Sequence, residues 1–426
     1  MDTEKNERIP CFFIILIFGM IFITSTLFCC KRKPPDTRLT TLDNYFIGKE
    51  RMEIYEDSLN NKDLEFAKYH FSHVIQKDPA FAPAYVSLGW VYFDTFYWWS
   101  EEFLKKDYLD SVLILCDQAI SIDPDLAEAY HLRGKYYGHS GSQDRAIEDL
   151  NRAIQLDPED AAAYLTLGWI YCQLKQDYLT GFEYYIKAKE LSDVAKWPPR
   201  YHNDIAYGYM NIGDYNQALF HLHKAIRLQP DVMEPILLSS WLLEVQGRTE
   251  EKLAFIDSIQ QLFPGSNACI SELAYTYAGL GEFEKAEQYY AQVIDTLDKE
   301  ERIPLKFAHR LGYVFWNLGQ ESRAMEYFDT QLAYCKQSLS SGEGYQTVEY
   351  DLAAVYAFLG EERRALDYLG RYAEKGFTYG LHDYIIRDPL FKRLWENEEF
   401  RKIVRQVQEK KLELRKQILK IEKNHS

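Results

Sequence analysis

The chain has 426 residues, 47% of them hydrophobic and 15% aromatic, enough to bury an extensive core and too much for a disordered acidic polymer. Its 49 Lys and Arg against 65 Asp and Glu leave a net charge of −16, which argues against a general affinity for nucleic acid, since that needs clustered positive charge. Seven cysteines without a CxxC pair exclude a disulfide scaffold, and 14 prolines and 22 glycines fit a chain folded nearly throughout.

Residues 1–9 form a short tail in which Asp2, Glu4 and Glu7 outweigh Lys5 and Arg8. Residues 10–30, PCFFIILIFGMIFITSTLFCC, carry no charge. About 20 such residues cross a hydrocarbon core of ~30 Å, so the run predicts a transmembrane anchor. Its end, Leu27-Phe28-Cys29-Cys30 before Lys31-Arg32-Lys33, resembles the cleavage box of bacterial lipoproteins, with Phe28 and Cys29 in place of the usual small residues. That resemblance implies lipid on Cys30. An uncleaved span would keep the basic cluster, and all that follows, on the cytoplasmic side. The expected location is therefore a membrane, by a single N-terminal span or as a lipid-anchored envelope lipoprotein. Residues 31–40 make a basic tether containing Pro34 and Pro35. At ~3 Å per residue it reaches only ~30 Å, so the folded part lies near the bilayer.

From residue 41 to about 375 the sequence repeats. Pro124 and Pro158 stand 34 residues apart, as do Pro230 and Pro264, and Gly213, Gly247 and Gly281 step by the same interval. Each period holds two amphipathic stretches of about four turns, too little to bury a core alone, so neighbours must stack. The expected fold is all-α: a right-handed solenoid of about nine helix–turn–helix units.

The pattern strongly resembles the tetratricopeptide repeat. Position 8 of successive units, where that family has a small residue, is Gly89, Gly134, Gly168, Ala206, Ser240, Ala274, Gly312 and Ala353, with Tyr55 in a degenerate first unit. Position 20 is Ala67, Val112, Ala146, Gly181, Ala218, Lys252, Ala286, Ala324 and Ala365, the lysine being the departure. The resemblance implies a concave face lined by the first helix of each unit, and a role in binding. Position 9, expected on that face, is Trp90, Lys135, Trp169, Tyr207, Trp241, Tyr275, Tyr313 and Ala354. Six aromatics of eight make either a ladder gripping an extended partner or packing between first helices. Position 5 reads Val86, His131, Leu165, Asn203, Leu237, Ser271, His309 and Tyr350. No unit supplies the Lys and Asn pair with which chaperone-adaptor members hold a peptide carboxylate.

Two insertions interrupt the period. Pro79 and Pro124 are 45 residues apart, and the excess contains Phe96, Tyr97, Trp98 and Trp99, a candidate contact patch or the packing of a longer hairpin. A shorter excess before the fifth unit holds Trp197-Pro198-Pro199, read as a rigid loop.

Residues 376–426 form the predicted capping region. DYIIRDPLFKRLWENEEFRKIV (383–404) resembles a segment that closes many bacterial tetratricopeptide regions. Phe400, Val404, Val407, Lys411, Leu414, Ile418 and Ile421 then follow 4-3 spacing, with a lysine inside the seam. Residues 391–426 hold eleven Lys and Arg against six Glu. The expected arrangement is a helix that lies on the last unit and then projects, or self-associates through the seam.

Signatures of chemistry are missing: no phosphate loop, GxGxxG, GxSxG or HExxH. The pairs His70/His73 and His221/His223 fall on the expected solvated side without a third ligand, so no metal is expected. Cys116, Cys172, Cys269 and Cys335 read as buried small residues. The sequence thus points to a membrane-tethered scaffold for protein or peptide partners that is not an enzyme and takes no cofactor. A lipoprotein subunit of an envelope assembly and a peptide or glycan-polymer binder are the alternatives.

Overall fold

The computed structural model describes residues 40–58, 61–98, 106–194, 197–230, 232–296, 308–341, 347–375 and 381–425. Nine helix pairs follow one another among them: α1 (Thr41–Ser58) with α2 (Asn61–Lys77), α3 (Ala82–Trp98) with α4 (Lys106–Ile122), α5 (Ala127–His139) with α6 (Gln143–Leu156), and α7 (Ala161–Trp169) with α8 (Tyr178–Leu191). Then come α9 (Pro199–Asn211) with α10 (Tyr215–Leu228), α11 (Met233–Val245) with α12 (Thr249–Leu262), α13 (Asn267–Gly279) with α14 (Phe283–Thr296), α15 (Ala308–Asn317) with α16 (Glu321–Ser341), and α17 (Val348–Leu359) with α18 (Glu362–Glu374). A one-turn helix, α19 (Leu381–Tyr384), a 3₁₀ turn (Pro389–Leu394) and the long α20 (Glu398–Asn424) close the chain. No strand occurs among the described residues.

Local chemistry sets the helix ends. Asp160, Asp177 and Asp214 accept backbone N–H bonds from the first turns of α7, α8 and α10, satisfying donors that have no intrahelical partner. Gly213, Gly247 and Gly281 take φ of +77°, +71° and +80° at the turn from first to second helix, which explains their 34-residue step.

The close approach within each pair rests on positions 8 and 20. A Cβ on Gly168 would sit 2.4 Å from the Tyr185 ring, so only glycine lets α7 and α8 meet there. In the first unit this role belongs to Gly48 rather than to Tyr55. A Cβ at 48 would lie 2.5 Å from Phe71, and Tyr55, two turns later on the same face, fills core instead. Position 20 is fully buried even where it is Lys252, whose ammonium lies 3.3 Å from Glu244 and 3.4 Å from Glu272 and over the Tyr275 ring. A long stem crossing the helix layer replaces the expected methyl group.

First helices of neighbouring units approach each other more closely than second helices do, so the stack curves with its first helices inside. The excess before the fifth unit packs inward as well. Trp197 is buried and donates its indole N–H to Ser192 Oγ at 2.8 Å, and Pro199 opens α9.

The C-terminal region departs from expectation. The helix α20 does not project: it runs back along the solenoid, from α18 of the ninth unit to α8 of the fourth. Its seam residues Phe400, Val404, Val407, Lys411 and Ile418 are buried against the chain itself, so among the described residues the apolar stripe is spent within one molecule. The histidine pairs also differ from expectation. His70, bonded to Asn44 at 2.9 Å, and His221, bonded to His202 at 3.0 Å, are buried rather than solvated. No group of three metal-ligating side chains occurs among the described residues. Cys116, Cys172, Cys269 and Cys335 are free and buried.

Residues 10–30, including Cys30, lie outside the described residues, and no helix among those described is long and apolar enough to cross a membrane. Trp99 also lies outside them, as do the side chains of Phe96, Tyr97 and Trp98 at the end of α3.

Ala286 is fully buried between α13 and α14. Ala286→Leu is expected to lower stability by ~1–3 kcal/mol through overpacking, read as a lower melting temperature with retained helical circular dichroism.

Candidate functional site

The inner face divides into two halves. In the second half, the first helices α11, α13, α15 and α17 are covered by residues 381–394. Asp388 is fully buried, and Arg310 donates to both of its oxygens, each at 2.8 Å. Tyr350 donates to the same carboxylate at 2.7 Å, and the Leu390 backbone N–H adds a fourth bond. Burial alone would raise the Asp388 carboxyl, but the Arg310 guanidinium beside it and these hydrogen bonds hold it below its ordinary value. Tyr384 meets the hydroxyl of Tyr275, and Pro389 and Tyr384 close a small cavity lined by Tyr275, Arg310 and Tyr313.

Along α20 the contact is again built from tyrosine, cation and carboxylate. Lys411 donates to the Tyr215 hydroxyl at 3.2 Å and to Asp383 at 2.6 Å, and Tyr215 itself donates to Asp383. Lys189 donates to the Tyr209 hydroxyl at 3.0 Å, and Tyr209 donates to Glu422 at 2.6 Å. Arg415 pairs with Asp214 at 3.0 Å. The buried lysine of the seam is therefore matched, its charge facing Asp383 on the same chain.

The first half of the inner face is not overlain by this segment. Trp90 is half-buried, edge-on to Phe93 and His131, and Trp169 stacks on His139 with ring centres 4.8 Å apart. Tyr207 donates to Glu234 at 2.7 Å. Lys135 is buried with its ammonium 5.8, 5.3 and 5.2 Å from the ring centres of Trp90, Phe93 and Tyr201. Burial, with Arg200 beside it, lowers the Lys135 ammonium, and burial raises the Asp204 carboxyl facing the same cavity.

The six predicted aromatics thus fall in two sets. Trp90, Trp169 and Tyr207 lie in the uncovered half, Tyr275 and Tyr313 lie beneath Tyr384 and Pro389, and Trp241 packs on the core between the two. All six are half-buried and touch neighbouring units. Sequence spacing placed Lys135 on the inner face without a role and did not reveal Arg310, Asp388 or Asp204. The Asp-Pro at 388–389 was the one available signal, and it was read as part of a closing segment.

Removing Asp388 leaves a buried, unpaired guanidinium. Asp388→Ala is expected to cost ~3–5 kcal/mol, measured by chemical denaturation. Because the folded carboxyl titrates below its unfolded value, its contribution is present above the unfolded pKa of ~3.9 and is lost as pH falls through the folded value. The parent should therefore lose stability relative to Asp388→Ala as pH drops below about 4, and a constant difference between the two would contradict this.

Comparison with known proteins follows the same lines. A family model described as TPR repeat matches residues 137–175, and one described as Tetratricopeptide repeat matches residues 199–232, 270–296 and 305–337. Superkiller complex protein 3 of Mus musculus is 24% identical over 296 residues, which cover 65% of this chain and 18% of that protein. Among solved structures, YrrB, described as a TPR protein with an unusual peptide-binding site, is 21% identical, with 42% of this chain and 91% of that one covered and a TM-score of 0.35. A tetratricopeptide repeat protein from Parabacteroides merdae is 18% identical, covering 65% and 98% with a TM-score of 0.38. The APC/C hetero-tetramer Cut9-Hcn1 is 15% identical, covering 92% and 82% with a TM-score of 0.44. The family matches fall on the third to fifth, seventh and eighth helix pairs, so this chain carries tetratricopeptide repeats there.

Proposed function

We propose that this protein is a non-catalytic scaffold that holds a segment of a protein partner along the uncovered half of its inner face, between Trp90 and Tyr207. The observation that carries this reading is the seating of residues 381–394 against the other half. There a stretch of the chain's own backbone lies on first-helix side chains, its Tyr384 against Tyr275 and its Asp388 on Arg310. The uncovered half presents the same classes of side chain, aromatic rings beside a buried cation: Trp90, Trp169 and Tyr207 with Lys135. Large, rigid rings bring contact area at low entropic cost. YrrB is described as having a peptide-binding site, which is in keeping with this reading.

The proposal includes attachment to a membrane through residues 10–30, as a span or through lipid on Cys30. The support is the uncharged run itself and the shortness of the tether that follows it. Mass spectrometry of the mature N-terminus separates the two forms: intact Met1 marks the span and diacylated Cys30 the lipoprotein. A mature chain with neither, found wholly in the soluble fraction, would overturn the attachment.

The binding reading is tested by the paired substitution Trp90→Ala and Trp169→Ala in the full chain, followed by in-cell crosslinking and by melting. Loss of the crosslinked partner with an unchanged melting temperature is the expected result. Retention of the partner, or loss that merely tracks a lowered melting temperature, would assign both rings to packing.

A further inference from the structure

Three sites in this chain join a tyrosine hydroxyl to a carboxylate that also holds a cation. They are Tyr215 with Lys411 and Asp383, Tyr209 with Lys189 and Glu422, and Tyr350 with Arg310 and Asp388. In the first two the ammonium donates to the hydroxyl while the hydroxyl donates to the carboxylate. All three lie where residues 381–424 rest on the solenoid.

Lys135 on α5 and Asp204 on α9 bring another cation and carboxylate to one place, in the uncovered half, without pairing directly. Both face a cavity of about 10 Å³ bounded by His139, Thr166 and Trp169. The other polar groups around it are engaged. Thr166 donates to the Ala162 carbonyl and its oxygen lies 3.1 Å from His131 Nε2, and His139 Nδ1 bonds the Lys135 carbonyl. The Lys135 ammonium lies against ring faces within the fields of Arg200, Asp204 and Asp94, and among the described residues it makes no hydrogen bond or direct ion pair with the Asp204 carboxylate.

The chemistry of an occupant follows from these facts. A cation entering the cavity meets Lys135, and an anion meets Asp204, so a charged group gains from one and is repelled by the other. A cavity of this size admits one group as large as a water molecule. Such a group, neutral, accepting from the ammonium and donating to the carboxylate, is a hydroxyl. Trp169 lines the same cavity and Trp90 and Tyr201 flank Lys135, surroundings that suit a hydroxyl carried on an aromatic ring.

We infer that the cavity between Lys135 and Asp204 receives the hydroxyl of a tyrosine on an extended partner segment, completing there the relay from ammonium through hydroxyl to carboxylate that the chain builds twice with its own tyrosines. This rests on the proposed binding role of the uncovered half and names the partner's chemistry.

The test uses the full chain and three small probes, N-acetyl-tyrosinamide, N-acetyl-phenylalaninamide and methyl α-glucopyranoside, followed by saturation-transfer NMR. The tyrosine amide should bind about tenfold more tightly than the phenylalanine amide, the scale of a hydrogen bond to a charged group. Lys135→Met and Asp204→Asn should each reduce that preference to within about twofold. Equal binding of the two amides to the parent would overturn the hydroxyl site while leaving an aromatic groove in place. A preference that survives both substitutions would overturn it too, as would a glucoside signal in place of the tyrosine one, which would make the ligand a sugar. The comparison of amides on the parent does not depend on how the variants fold, and the tryptophan pair tests the groove separately.

Discussion

A single ion pair, fully out of solvent on its acidic side, organises the second half of this molecule. Asp388 accepts two hydrogen bonds from Arg310, one from Tyr350 and one from its own backbone two residues on. Neither charge is cheap to bury alone, and each is tolerable because the other is held in fixed bidentate geometry. The pair fixes where the chain crosses the inner face after the ninth unit. Leu390, Phe391 and Leu394 then enter the core shared by the last units, and α20 sets out in the opposite direction to the solenoid.

That return run changes what the fold can do. A solenoid with both ends free has an inner face open along its length and a curvature set only by neighbouring units. Here the ninth unit is tied to the fourth and fifth through Lys411, Arg415, Ile418 and Glu422, contacts that span about 200 residues of sequence. The tie covers one half of the inner face and holds the spacing of units across it. Among the described residues, the half that stays uncovered is also the half in which an ammonium and a carboxylate face a small cavity without a bond between them.

Much of the fold was legible in the sequence because it follows from spacing. The prolines and the left-handed glycines repeat at the length of one helix pair, and the positions they bracket are the buried ones, from Ala67 to Ala365. Spacing says which residues share a face but not what covers that face. The 4-3 stripe of α20 was therefore visible while its partner was not, and Lys411 within it looked like a flaw until Asp383 and Tyr215 were found opposite. The same limit hid the role of Gly48, since two turns of α1 place Gly48 and Tyr55 on one side and only contact with Phe71 tells them apart. His70 and His221 were misplaced because a small rotation about the helix axis moves a residue from the solvated to the packed side. The candidate site was least legible: Arg310 meets Asp388 across 78 residues, and the cavity of Lys135 and Asp204 joins units that no local pattern connects.

The return of α20 is the claim on which the divided inner face stands, and its far end gives the sharpest measurement. His425 lies 2.9 Å from Glu190, at exposed positions of the last helix and of α8. A chain carrying Glu190→Cys and His425→Cys should be joined within one molecule by a short bis-maleimide reagent, at a rate independent of protein concentration, without loss of helical signal and not in either single variant. A pair that is not joined, or that links only between molecules, would place α20 elsewhere and remove the tie between the ninth unit and the fourth.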